Sequence, residues 1–121
     1  MKNRYPKTEK LKLKKNIALL FEKGKWFRFG KLQIIVLKNA VEISGNTKFG
    51  VSVSKKNFKK AVDRNRIKRL LRECYRLNKD IFKSAFGENS FAMMFWTSEK
   101  MPENFKETET EFLNFCESYK L

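Results

Sequence analysis

Residues 50–76 read GVSVSKKNFKKAVDRNRIKRLLRECYR, and this stretch changes period partway along. Up to residue 54 apolar and polar residues alternate, with Phe49, Val51 and Val53 on one face, the pattern of a half-buried strand over 47–54. From residue 59 the spacing becomes helical. Ile67, Leu70, Leu71 and Cys74 fall at i, i+3, i+4 and i+7 and form one apolar stripe, predicting a helix over 59–78. At about 100° per residue, Asn65, Arg69, Arg72 and Arg76 then lie opposite Ile67, Leu70 and Cys74, flanked by Arg64, Arg66 and Lys68. Lys55, Lys56, Lys59 and Lys60 extend this row ahead of the helix.

An arginine row invites a salt-bridge explanation, but that needs acids at i±4. Within 55–79 only Asp63 and Glu73 are available against 11 basic residues, and Asp63 is accounted for by the start of the helix. Arginine grips phosphate with a planar fork and stacks on bases, so RNA or DNA is the leading partner. Anionic membrane ranks second, because a membrane-surface helix sets large apolar groups beside its cations and here the apolar stripe reads as core.

Outward from this stretch, the charge is concentrated. The chain has 121 residues, 28 Lys+Arg, 13 Asp+Glu and no histidine, giving a net charge of +15. Residues 1–31 hold 11 basic and 2 acidic groups, as do 55–79, so two segments carry more than the whole excess. Such crowding repels itself unless a polyanion is bound. At 41% hydrophobic and 14% aromatic the chain is too apolar for a disordered basic tail. Its length suits one domain, residues 1–121.

The elements follow. Residues 1–10 (MKNRYPKTEK) read as an extended basic arm. Leu13, Ile17, Leu20 and Phe21 predict a helix over 13–23, with Gly24 as its C-terminal cap. WFRFG at 26–30 suggests a short first strand. KLQIIVLKNAVE at 31–42 is a further strand, and Ser44-Gly45-Asn46 a turn joining it to 47–54 as a hairpin. SFAMMFWT at 90–97 reads as a buried strand, and Phe105, Phe112, Phe115 and Tyr119 mark a last helix over 104–119. The order α-β-β-β-α-β-α gives an α+β fold, an α/β sandwich.

Catalytic constellations are missing. Without histidine there is no serine–histidine or cysteine–histidine chemistry and no histidine metal ligand. Cys74 and Cys116 form no metal-type pair and read as small buried thiols of a reducing, cytoplasmic compartment. Glu103, Glu107 and Glu111 recur at i+4 in the acidic C-terminal region and read as a helix face rather than a metal site. The longest apolar runs fall well short of the ~20 residues of a membrane span, and a secretory signal is not expected. Phe21, Trp26, Phe27, Phe29, Phe49 and Trp96 lie in or beside strands and the first helix. Exposed rings there would stack unpaired bases, although most are expected in the core.

The same central stretch resembles the protein component of bacterial ribonuclease P. The carriers are Ser52-Val53-Ser54-Lys55-Lys56, Ala61-Val62, Arg64-Asn65-Arg66-Ile67-Lys68-Arg69-Leu70 and Arg72, with Leu11-Lys12 and Leu20-Phe21 through Gly24 upstream. The resemblance implies a four-stranded mixed sheet packed with helices and a left-handed β-α-β crossover, against the usual right-handed rule. It implies an endoribonuclease ribonucleoprotein that removes the 5′ leader from precursor tRNA. A catalytic RNA with Mg²⁺ performs the chemistry, and this chain supplies no catalytic residue and no metal site. Lys55, Lys56, Arg64, Asn65, Arg66, Lys68, Arg69, Arg72 and Arg76 would contact the RNA subunit. Phe21 would line the leader cleft, with Ile17 and Ile35 at positions where relatives often carry further aromatics. The expected partners are the RNA subunit and precursor tRNA, with no membrane and no obligate protein partner. The alternative is a ribosomal or general RNA chaperone protein without an enzymatic role.

Overall fold

A computed structural model of the chain describes residues 14–38, 47–87 and 89–119. The basic arm at 1–10 and the turn at 44–46 lie outside them. The elements are α1 (Lys14–Lys23), β1 (Lys25–Phe29), β2 (Leu32–Leu37), β3 (Lys48–Val53), α2 (Ala61–Leu77), α3 (Lys79–Phe86), β4 (Phe91–Trp96) and α4 (Phe105–Ser118).

The four strands form one mixed sheet in the order β1-β2-β4-β3. β1 and β4 run antiparallel to β2, and β3 runs parallel to β4. This corrects the expected hairpin between 31–42 and 47–54: β2 and β3 are not neighbours, because β4 lies between them. The reason is burial. FAMMFW in β4 and IIVL in β2 carry apolar residues on both faces, so both take central places, while β1 and β3 form the edges. The hairpin is instead β1–β2, closed by a two-residue loop whose first member, Gly30, has φ +59 as such loops demand.

The β3–β4 pair is joined through α2 and α3, the β-α-β crossover that the resemblance implies. Helix α3 was not expected. It has eight residues, and its apolar positions Phe82, Ala85 and Phe86 are buried.

Alternation sorts the sheet into two faces. Leu32, Ile34, Val36, Phe49, Val53, Ala92, Met94 and Trp96 join Ile67, Leu71, Cys74, Tyr75 of α2 and Phe112, Phe115, Cys116 of α4 in the main core. The ring of Phe49 stacks on Tyr75 at 4.2 Å, pinning α2 to β3. On the other face Leu20 of α1 packs with Ile35 and Phe91. The sheet thus lies between α1 and the three later helices. Among the described residues, that places α1 over part of one face and leaves the remainder uncovered.

Candidate nucleic-acid interface

The approach to α2 is built around Phe58, which is buried and whose N–H donates to the Ser54 carbonyl at 3.0 Å. The Lys56 N–H donates to the Ser54 hydroxyl at 3.0 Å, tightening the same loop. With Phe58 inward, Lys55, Lys56, Lys59 and Lys60 are exposed. The Arg64 guanidinium turns back and donates to the carbonyls of Phe58 and Lys59, at 2.8 and 2.9 Å. Arg64 therefore fastens this loop, and its two bonds come from a single nitrogen.

Along α2, Asn65, Arg66, Arg69 and Arg72 are exposed and Lys68 is half-buried. Among the described residues none of these cations has an ion pair. Arg76 differs: its Nε donates to Glu73 at 2.7 Å, one turn back on the helix, so part of its charge is already answered. The buried stripe is Ile67, Leu71, Cys74 and Tyr75, with Leu70 only half-buried at its margin.

On the opposite side of the sheet, α1 and the strand surface carry three neighbouring rings. Phe21 and Trp26 are 44% and 49% exposed, with centroids 5.8 Å apart. Phe95 lies 6.2 Å from Phe21 and 5.6 Å from Trp26. Pairing places Trp26 beside Ile35 and sets Phe95 between Gln33 and Ser52, with Arg28 beyond Gln33. The expected cleft residues are divided by the structure. Phe21 is on the surface, Ile17 is half-buried against the second apolar cluster, and Ile35 is fully buried. Ile35 thus supports the face from beneath, because Leu20 of α1 and Phe91 close over it. Beside Phe21, the rings at this surface are Trp26 and Phe95. Phe95 was missed, and strand alternation over 91–96 is the signal that separates it from Trp96, which is buried in the main core.

Cys74 and Cys116 are both buried in that core, which pushes their thiols up to about 12. Glu107 accepts from the Glu103 N–H and from Lys31, which together hold its carboxyl below the usual range. Among the described residues no cluster of acidic and cysteine side chains is placed to hold a metal ion, and no helix is long and apolar enough to cross a membrane.

A family model described as Ribonuclease P matches residues 5–120. The chain belongs to the ribonuclease P protein family. The ribonuclease P protein component of Porphyromonas gingivalis is 39% identical over 82 residues, covering 68% of this chain and 60% of that protein. That of Clostridioides difficile is 41% identical over 76 residues, covering 63% of each. The matched stretch thus spans about three fifths of these relatives. In fold, the ribonuclease P protein of Thermotoga maritima superposes with a TM-score of 0.72 at 23% identity, over 93% of this chain and 99% of that one. A Staphylococcus aureus ribonuclease P protein gives 0.73 at 18% identity, over 93% and 95%. The α+β architecture with its four-stranded mixed sheet is that of the ribonuclease P proteins.

Proposed function

We propose that this chain is the protein subunit of a ribonuclease P ribonucleoprotein and assists a catalytic RNA in removing the 5′ leader from precursor tRNA. The observation that carries this reading is the row Asn65, Arg66, Arg69 and Arg72, exposed on α2 with no acid paired to its cations among the described residues. Unpaired guanidinium groups along one helix face suit the phosphates of a folded RNA. Lys55, Lys56 and Lys68 widen that surface. Arg64 contributes by holding the Phe58–Lys59 loop, and Arg76 from within its pair with Glu73.

The leader occupies the opposite face. Phe21, Trp26 and Phe95 stack its unpaired bases, with Ile17 at the margin and Ile35 as support beneath. Arg28 stands beside them to meet the backbone. Two RNA elements on two sides of one sheet is the arrangement expected of a protein that bridges catalyst and substrate. Mg²⁺ enters with the RNA subunit, and its chemistry belongs there.

Sequencing the RNA that co-purifies with the chain tests the reading. Enrichment of a single catalytic RNA and of leader-bearing tRNA is the expected result. Predominantly ribosomal RNA would overturn it in favour of a ribosomal or chaperone role.

A further inference from the structure

Tyr119 follows the last turn of α4, and its phenol reaches the outer edge of β1. The hydroxyl donates to the Arg28 carbonyl at 2.7 Å and accepts from the Arg28 N–H at 3.3 Å. β1 is an outer strand, so these main-chain groups face away from its partner β2. One side chain thus stands where a further strand would pair. Its ring is anchored by Phe27, Phe115 and Phe86, at centroid distances of 4.9, 5.4 and 6.1 Å.

The same helix grips the β1–β2 hairpin at its turn. Glu107 pairs with Lys31 at 3.2 Å. Glu111 lies so close to Gly30 that a Cβ there would meet its Oε2 at 2.6 Å. Two members of the acidic run on α4 are therefore engaged with this hairpin. Along β1, Phe27 points into the core while Trp26 and Arg28 point to the face carrying Phe21 and Phe95.

We propose that Tyr119 is a positioning residue for the leader-binding face. It fixes the main chain at Arg28 and so keeps Trp26 and Arg28 in place beside Phe21 and Phe95. This inference rests on the leader-binding reading above. A strand with one neighbour frays most readily at an unpaired edge, and a stacking surface works only while its rings hold their spacing.

The test is Tyr119→Phe, which keeps the anchored ring and removes both hydrogen bonds. In the holoenzyme assembled with its cognate RNA, affinity is measured for tRNA with and without a 5′ leader. Hydrogen exchange at the Arg28 amide and the unfolding midpoint are followed alongside. The variant should bind leader-bearing tRNA about threefold to tenfold more weakly, the range expected for one or two hydrogen bonds. Binding of mature tRNA should stay within about twofold of the parent and the midpoint close to it, with faster exchange at Arg28. In a Trp26→Ala background the same change should cost little further affinity, because both act through one surface. Unchanged leader affinity, equal loss on both tRNAs, or a full additional loss beside Trp26→Ala would overturn the proposal. Were the parent holoenzyme itself indifferent to the leader, the leader-binding reading would fall first, before any variant is compared.

Discussion

A methyl group added at Gly24 would lie 2.5 Å from the Leu20 carbonyl and 2.7 Å from Ile35 Cγ1. The Gly24 N–H also closes the last turn of α1 on that carbonyl, at 2.7 Å. Gly24→Ala should therefore cost about 1–3 kcal/mol in denaturant unfolding, the usual range for overpacking, by prising α1 from the sheet. Arg64 and Arg69 are alike in sequence but not in circumstance. Arg69→Ala should weaken RNA binding and lower its salt slope by about one phosphate contact. Arg64→Ala should show much of its effect as loss of stability, since two carbonyls lose their donor. An unchanged salt slope in the Arg69 variant would remove that residue from the interface. The buried thiols set a pH limit. Cys74 and Cys116 stay protonated in the fold to about 12 but ionise near 9.0 when released. The unfolded chain then binds fewer protons, so their contribution to stability is complete below pH 9 and declines between 9 and 12. Cys116→Ala should flatten part of that alkaline decline, measured by denaturation across this range.

At the scale of elements, periodicity placed the central helix over 59–78 against the observed Ala61–Leu77, because Ile67, Leu71 and Cys74 repeat on one face. The same logic located β4, α1 and α4 to within a few residues. Strand neighbours were not legible. Alternation tells which side chains share a face, not which strand lies alongside, and β3 finds its partner β4 only beyond two helices. The turn signal at 44–46 consequently outweighed Gly30, whose two-residue loop is the real hairpin. Helix α3 escaped because eight residues following Asn78 give little more than two turns of pattern. Gly30→Ala should destabilise the hairpin twice over, through its φ of +59 and through contact with Glu111, and lower the unfolding midpoint. A midpoint equal to the parent's would contradict both, since the strain at φ +59 remains even where Glu111 moves aside.

The whole molecule sets cations on α2 and the loop before it, and rings on the far side of the sheet. The cationic half of this arrangement was legible, since acids are sparse around 55–79 and helical geometry alone orders the arginines. The aromatic half was not, because exposure depends on how far α1 covers the sheet. Ile35, on the strand predicted over 31–42, is sealed beneath Leu20, while Trp26 on the edge strand is open. The proposed division of labour leaves the cleavage to the RNA. The decisive measurement is the rate of 5′-leader removal from a precursor tRNA at low Mg²⁺, with the cognate catalytic RNA alone, the chain alone, and both together. No cleavage by the chain alone and strong stimulation of the RNA is the expected result; a rate with both that equals the RNA alone would contradict it.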